Sequence, residues 1–199
     1  MIKVYSRRQL MAFKPYDAEI EYLESTGMQY IDTGVIPTNK HGFRISCYVP
    51  RNAGGGSYND RVIGVHGTIR WLLSIHDNSK ATFFGWNDAY SNLGIYYDTN
   101  VVADLNYLNN RKGIINNVTK IATLPTLGSI AESAYLFGNR NVEALFIGRI
   151  SSCIITYESE IILNFIPVRK GNVGYMYDKV SGKIFGNSGT SSFVLGPDK

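Results

Sequence analysis

The stretch from residue 161 to residue 197 limits the fold of this 199-residue chain more than any other part of the sequence. It consists of short apolar runs separated by turn residues, and its first run, IILNFIPV, is closed by Pro167. The segments that follow are the turn Lys170-Gly171-Asn172, the aromatic run 175–177, the turn Ser181-Gly182, the run 183–185, the turn 186–189 and the run 191–195. Strands of about 4 to 8 residues between such turns are typical of antiparallel all-β proteins. The sequence therefore predicts a series of short antiparallel strands in this stretch.

The composition of the whole chain favours the same fold class. The chain has 20 glycines and 14 tyrosines, and it has no segment rich in Leu, Ala, Glu and Lys that would favour a helix. Its length fits one β-sandwich domain, since such domains reach about 200–250 residues. No run approaches the roughly 18 apolar residues of a membrane span. We therefore expect an all-β protein that does not associate with a membrane.

Alternating polarity predicts the clearest single strand, over residues 42–49. Phe43, Ile45, Cys47 and Val49 are expected to face the core, and the residues between them to face solvent. Further strands are predicted at 62–66, 71–76, 81–84, 134–138 and 146–157, with a hairpin over 100–109 and 113–120 whose tip is Asn116-Asn117. Residues 86–92, which read WNDAYSN, are interpreted as a polar-aromatic loop.

The residues that most often carry metal or nucleophilic chemistry show no such pattern in this sequence. Cys47 and Cys153 are interpreted as two buried free thiols rather than as a disulfide, given an expected intracellular origin. The three histidines share no metal-ligand spacing, no serine lies in a nucleophile elbow, and neither cysteine has a catalytic signature. The sequence therefore predicts no metal, no cofactor and no catalytic residues.

The net positive charge of the chain is concentrated at its N-terminus. Of the 20 basic residues, four lie in residues 1–14 together with no acid, which leaves 16 bases against 16 acids in the remainder. The neutral remainder gives no reason to expect direct nucleic-acid binding. We interpret residues 1–16 as an arm and residues 17–199 as one domain. The residues expected to anchor the arm to a larger assembly are Ile2, Val4, Arg7, Arg8, Leu10 and Phe13.

Four segments of the sequence carry motifs in a recognisable order. They are EYLESTGMQYIDTGV at 21–35, AYLFGN at 134–139, GRISSCII at 148–155, and the final stretch with its aliphatic-Pro-Val, Gly-x-Met-Tyr-Asp, Phe-x-Asn-x-Gly-Thr and Gly-Pro motifs. These segments resemble laminin-G-like, concanavalin A-type sandwich domains found in bacteriophages and gut bacteria. The resemblance implies a two-sheet antiparallel jelly roll from about residue 20 to residue 197. Such folds host lectins, glycosidases and structural modules, so the fold leaves the function open.

Three acidic residues, Asp17, Glu19 and Glu21, alternate along one predicted strand, so their carboxylates are expected on one face. Retaining β-glucanases of the same broad fold use a Glu-x-Asp-x-Glu pattern, because double displacement needs a nucleophile and an acid/base close together. In this chain the first two acids are exchanged, and the segment precedes the first strand of the resembling family. We therefore interpret it as a solvated acidic entry strand that can pair with the basic arm.

Aromatic and polar residues between positions 71 and 97 suit sugar recognition. An aromatic ring covers the apolar C–H face of a sugar, and amides and carboxylates orient its hydroxyl groups. The candidate carbohydrate-binding residues are Trp86, Asn87, Asp88, Tyr90 and Asn92. The alternative is that these aromatics fill the core or a subunit contact.

The resemblance and the arm together predict a non-enzymatic structural protein of a bacteriophage virion. It would serve as a head decoration, head fibre or tail component, assembled in the host cytoplasm, and the absence of a secretion signal agrees with this. Its expected partners are other virion proteins, bound through the arm, and further copies of itself. The alternative function is a carbohydrate-binding adhesin module that recognises host surface glycans.

Deletion of residues 1–14 is expected to leave a folded, soluble domain that no longer joins its particle, because the deletion removes the proposed anchor and leaves the neutral domain whole. Co-sedimentation of full-length and truncated protein with particles measures this, and circular dichroism controls for folding. Normal incorporation of the truncated protein would contradict an anchoring role.

Overall fold

The computed structural model describes ten ranges of the chain: 14–50, 60–66, 70–76, 81–86, 89–92, 98–106, 112–115, 118–121, 130–138 and 145–199. For residues 60, 66, 70, 76, 81–86, 89–92, 106, 112–115 and 118–121 it describes the backbone only. These ranges contain strands and turns and no helix. Accordingly, the described part of the chain has no helix of the length and apolarity that a membrane span requires.

The larger of the two sheets contains eleven of the described strands. They are β1 (Ala18–Glu19), β2 (Leu23–Thr26), β4 (His41–Val49), β9 (Thr99–Asn106), β10 (Lys112–Ile115), β11 (Val118–Ile121), β13 (Ile147–Tyr157), β14 (Glu160–Lys170), β15 (Val173–Asp178), β16 (Ile184–Phe185) and β17 (Val194–Leu195). The main path of the sheet runs β11-β10-β9-β4-β13-β14-β15-β16, with β1 beside β14 and with β2 between β13 and β17.

The smaller sheet contains six of the described strands, in the order β3-β12-β5-β6-β7-β8. They are β3 (Ile31–Asp32), β5 (Asp60–His66), β6 (Arg70–His76), β7 (Ala81–Trp86), β8 (Ala89–Asn92) and β12 (Tyr135–Leu136). Neighbouring strands are antiparallel in both sheets. The predicted all-β, two-sheet antiparallel sandwich is confirmed.

The core lies between the two sheets and follows the alternation seen in the sequence. In β4 the side chains of Phe43, Ile45, Cys47 and Val49 are buried, and Arg44 between them is exposed, as predicted. Phe43 meets Trp71 of the smaller sheet edge-on, with ring centroids 5.0 Å apart. Each large side chain buried in this way contributes about 1.5–3 kcal/mol of hydrophobic stabilisation.

The first strand of the C-terminal stretch does not end at Pro167, as the sequence had suggested. Strand β14 continues through Pro167 to Lys170. The neighbour on this side of β14 changes here from β13, whose pairing ends at Phe165, to β1, which pairs with Val168 and Arg169. The carbonyl of Pro167 accepts a hydrogen bond from Ile20 N (3.0 Å). In an antiparallel strand the N–H and C=O of one residue point toward the same neighbouring strand. The missing N–H of Pro167 therefore lies between the end of the β13 pairing and the start of the β1 pairing, where it breaks neither row of hydrogen bonds.

The two ends of the described chain fasten to each other through what we call the terminal clasp, formed by residues 19–30 and 187–199. Asn187 Oδ1 accepts hydrogen bonds from Tyr30 N (3.2 Å) and Gly189 N (2.9 Å). Thr190 N donates to Met28 O (3.0 Å). A Cβ at position 189 would overlap the Met28 carbonyl, so glycine is required where the two segments touch. The Phe-x-Asn-x-Gly-Thr motif therefore binds the main chain of residues 28–30 through the Asn187 side chain and the backbone of Thr190.

The acidic entry segment is also held by structural contacts. Asp17 Oδ2 accepts a hydrogen bond from Gly171 N (2.7 Å), and Glu19 accepts one from the Tyr16 hydroxyl (2.9 Å). The hydrogen bond from Tyr16 is the main cause that holds the pKa of Glu19 below its usual value, and a hydrogen bond from Lys14 adds to it, although partial burial acts in the opposite direction. Tyr16 itself packs on the outer face of the larger sheet, edge-on to Tyr177. These contacts fit the interpretation of an entry strand that pairs with a basic neighbour.

The Gly-x-Met-Tyr-Asp motif ends in a buried carboxylate, Asp178. Burial alone would raise its pKa, but backbone N–H donors from Asn164, Val180 and Ser181 and the Ser181 hydroxyl outweigh burial and lower the pKa. The four donors lie 2.6–3.1 Å from its oxygens. Asp178 therefore fixes the turn between β15 and β16 in its ionised form.

Asp178→Asn should lower the free energy of unfolding at pH 7 by about 2–3 kcal/mol, because one amide oxygen cannot accept from donors on both sides. A lowered native pKa stabilises the fold above the unfolded pKa of about 3.9, and this contribution is lost as the pH falls through the native value. Urea unfolding of the wild type and Asp178→Asn from pH 7 to pH 2 should therefore show that the difference between their free energies of unfolding decreases below about pH 4. If this difference stays constant with pH, the charge of Asp178 is not the cause of the lost stability.

Cys47 and Cys153 are both free and buried in the core. Burial raises the pKa of the Cys47 thiol to about 12 and also raises that of Cys153. A thiol reagent added to the native protein should therefore react with both residues slowly, at the rate of unfolding. Labelling in urea supplies the reference rate, and fast labelling without denaturant would contradict the placement of the inner face of β4.

Candidate functional site

The residues predicted as functional from the sequence lie mostly outside the described ranges. This applies to the arm residues Ile2, Val4, Arg7, Arg8, Leu10 and Phe13 and to Asn87 and Asp88. The remaining sugar-site candidates, Trp86, Tyr90 and Asn92, are described by their backbone only. The proposed anchor and the proposed sugar site at 86–92 therefore stay predictions.

The interpretation of residues 86–92 as a loop is wrong for residues 86 and 89–92, whereas residues 87 and 88 lie outside the described ranges. Trp86 is the last residue of β7 and pairs with Ala89, and the backbones of Tyr90 and Asn92 belong to β8. The polar composition of this segment is compatible with a strand because β8 is the last of the described strands on the β5-β6-β7-β8 side of the smaller sheet. An edge strand tolerates polar side chains, since its stability comes from pairing on one side only.

Of the described surfaces, the outer face of the larger sheet brings together the side chains best suited to binding. The Arg149 guanidinium carbon lies 4.4 Å from the ring centroid of Tyr22 and 5.2 Å from that of Tyr48. Arg149 Nε donates a hydrogen bond to Glu24 Oε2 (2.7 Å). We call Tyr22, Glu24, Tyr48 and Arg149 the tyrosine–arginine patch. It combines two aromatic rings, a cation and a carboxylate on one half-exposed surface.

Strand register and two glycines set the geometry of this patch. Arg149 of β13 stands directly between Tyr48 of β4 and Glu24 of β2. Gly148, at φ +154°, lets β13 approach the Tyr48 carbonyl, where a Cβ would overlap it. Gly196 of the Gly-Pro motif likewise lies against the backbone and ring of Tyr22. The hydrogen bond from Arg149 to Glu24 raises the pKa of Arg149 further, so the guanidinium stays charged in a fixed orientation.

A depression of about 180 Å³ lies on the same outer face, where β4, β9 and β13 adjoin the β13–β14 turn. Its lining residues are Phe43, Arg44, Asp104, Leu105, Ile154, Thr156, Ser159 and Ile161. Arg44 is directly opposite Asp104 on one side and Ile154 on the other. The depression therefore presents a guanidinium, a carboxylate, two hydroxyls and apolar isoleucine side chains within one small volume.

Asp104 is the acid that lines the depression. Burial raises the pKa of its half-buried carboxyl, and the charge of Arg44 offsets part of that rise. A carboxyl that is only partly solvated and faces a guanidinium is a good hydrogen-bonding partner for a polar ligand. It has no second carboxylate among the lining residues, which a two-carboxylate glycosidase would need.

The turn that borders the depression is held in a strained conformation. Glu158 and Ser159 connect β13 to β14 with φ values of +48° and +74°. A two-residue hairpin with positive φ at both positions favours Asn and Gly, because other residues meet steric cost in the left-handed region. Glu158 is tied to the start of β4: its N–H donates to Lys40 O (3.0 Å), and its carboxylate pairs with the Lys40 ammonium. Strain of this kind is often kept where a side chain serves a ligand.

Neither the tyrosine–arginine patch nor the depression was predicted from the sequence. Tyr22 and Arg149 fall within two of the motif segments, EYLESTGMQYIDTGV and GRISSCII, but they lie more than 120 positions apart in the chain. The sequence offered one indication of this surface, the predicted outward positions of β4, which are Arg44, Ser46 and Tyr48.

Within the described ranges, no group of three His, Cys, Asp or Glu side chains could hold a metal ion.

Comparison with known proteins places the fold among solved structures. No family model and no curated relative matches the sequence. A "putative carbohydrate binding protein" from Bacteroides ovatus ATCC 8483 superposes with a TM-score of 0.61 at 12% identity, over 90% of this chain and 60% of that protein. This chain therefore spans about three fifths of the length of that protein, and the likeness shows the fold alone. SCP-B, a member of the eqolisin family of peptidases, gives a TM-score of 0.39 at 14% identity, over 87% of this chain and 100% of SCP-B, which is too low to carry an argument.

Ser159→Gly should raise the free energy of unfolding by up to about 1 kcal/mol, because glycine removes the left-handed strain at a smaller entropic cost. Gly171→Ala is the matched control, since Gly171 has φ +56° and nothing within 4 Å of an added Cβ. That variant should lose about 1 kcal/mol by backbone strain alone. Urea unfolding measures both, and a clear loss of stability in Ser159→Gly would show that the Ser159 side chain has a structural role.

Proposed function

We propose that this protein is a carbohydrate-binding module that uses the outer face of its larger sheet. The observation that carries the proposal is the arrangement of Tyr22, Tyr48 and Arg149, with Glu24 hydrogen-bonded to the guanidinium. The fold shared with the Bacteroides ovatus protein supports the same class of function. The adhesin alternative from the sequence thus has more support than the virion role.

The chemistry of the patch suits a sugar. Phenol rings offer apolar surface to the C–H face of a pyranose, while Arg149 and Glu24 offer a donor and an acceptor for its hydroxyl groups. The Tyr48 hydroxyl also donates to Asp98 Oδ1 (3.4 Å) at the edge of the patch. Because Glu24 holds the guanidinium in place, the surface is ordered before a ligand arrives, which lowers the entropic cost of binding.

A structural role in a virion stays a prediction of the sequence alone. It depends on the arm at residues 1–16, of which the structure describes only residues 14–16. The two functions are compatible, since a protein displayed on a particle can also bind a glycan.

A glycan array probed with the purified protein tests the proposed function. The Tyr48→Ala and Arg149→Ala variants should weaken binding to any glycan found by about tenfold each, which corresponds to about 1.4 kcal/mol. Tyr30→Ala is the matched control: Tyr30 is also half-buried but stacks on Tyr135 at the border of the smaller sheet. Its removal should leave the affinity unchanged.

Two results would count against the proposal. If the protein binds no glycan on the array and no free sugar at millimolar concentration, carbohydrate binding is excluded. Equal losses in Tyr48→Ala and Tyr30→Ala would exclude the tyrosine–arginine patch as the site. Circular dichroism of each variant separates a lost contact from a lost fold.

A further inference from the structure

We propose that the depression formed by Arg44, Asp104, Ile154 and Ile161 is a subsite for the acetamido group of an N-acetylated sugar. This proposal rests on the proposed function, since it names the class of glycan bound by the same face. It is carried by the side chains that line the depression and by their register across β9, β4 and β13.

The N–H donor and the C=O acceptor of an acetamido group lie in one plane and point in opposite directions, so the group can be held between an acceptor and a donor, both of which line the depression. Arg44 and Asp104 stand directly opposite each other on neighbouring strands, so a hydrogen-bond donor and an acceptor lie side by side. Neither makes a side-chain hydrogen bond or a close ion pair with another described residue. The amide N–H would donate to Asp104, and the amide oxygen would accept from Arg44.

The methyl end of the acetamido group has an apolar counterpart. Ile154 and Ile161 line the same depression, and the side chain of Ile161 is 49% exposed. Covering an exposed isoleucine with a methyl group is favourable because it removes apolar surface from water. The hydroxyls of Thr156 and Ser159 are placed to contact a neighbouring polar group of the sugar.

Size and charge restrict the ligand further. At about 180 Å³ the depression is smaller than the roughly 300–1,000 Å³ of pockets for drug-sized ligands, so it admits one substituent or ring of a longer glycan. Asp104 disfavours a sugar carboxylate, and Arg44 disfavours a free sugar amine, since each would face a like charge. A neutral amide meets neither penalty.

The depression and the tyrosine–arginine patch lie on one continuous line. Arg44 and Tyr48 are four residues apart on β4 and on the same side of the strand, which corresponds to about 13 Å. Ser46 and Val102 lie between them on the outer face. One oligosaccharide can therefore contact the patch with one ring and place an acetamido group in the depression.

The test compares three tetrasaccharides with the same β-1,4 linkage: chitotetraose with four N-acetyl groups, cellotetraose with hydroxyls, and the fully deacetylated tetramer with amines. Isothermal titration calorimetry should give at least about tenfold tighter binding for the N-acetylated tetramer than for either of the others. In Asp104→Ala, which removes the acceptor altogether, this preference over cellotetraose should fall to about twofold or less, while the affinity for cellotetraose stays as in the wild type. A merely structural role of Asp104 would weaken both ligands together.

Glu158→Ala is the matched control, because Glu158 is a carboxylate at the turn that borders the depression and it pairs with Lys40. It should keep the full preference. Equal binding of the N-acetylated tetramer and cellotetraose, tighter binding of the amine tetramer, or an unchanged preference in Asp104→Ala would each overturn the subsite. If the array shows only glycans without acetamido groups, the subsite is wrong and the proposed function stands. If the array shows no glycan at all, both fall.

Discussion

The hydrogen bonds between the first and last described segments are the constraint on which the rest of the fold depends. In the terminal clasp, β2 pairs with β17 on one side and with β13 on the other, so distant parts of the chain share one sheet. Some of these contacts join residues more than 160 positions apart, so forming them requires closing a long loop. The entropic cost of closing that loop grows only slowly with its length, but it has to be met before the contacts can form. Folding of this domain therefore depends on non-local pairing, which is typical of slow-folding β-sandwiches.

The clasp also positions the proposed binding face. Tyr22 is held by a hydrogen bond from Gly196 N to its carbonyl (3.0 Å), and β2 brings Glu24 beside Arg149. The aromatic and charged side chains of the patch therefore depend on main-chain contacts made by residues that never touch a ligand. The depression, in contrast, depends on β4, β9 and the strained turn after β13. The two parts of the face are built by different sections of the chain and meet through β4 and β13.

The sequence predicted the fold class but not the grouping of side chains in the tyrosine–arginine patch, for physical reasons. Alternation in β4 identified its core face, because one side of that strand packs on the other sheet and the other side meets solvent. Alternation alone could not show that Pro167 falls where β14 changes its neighbour, nor that the polar segment after Trp86 pairs as an edge strand. The patch escaped prediction because its members come from three strands whose register only the folded sheet defines. Local pattern reports on burial, whereas a binding face depends on which strands become neighbours.

The contact between the first and last described segments has a consequence for how this domain can be joined to others. Lys199 N donates to Glu19 O (2.9 Å), and Asp198 forms a bidentate pair with Arg169 (2.7 and 2.6 Å). The first and last described segments of the sandwich therefore meet at one point, beside β14. A short linker across that point would permit circular permutation, and the whole sandwich could be inserted into a loop of a host protein without separating its sheets.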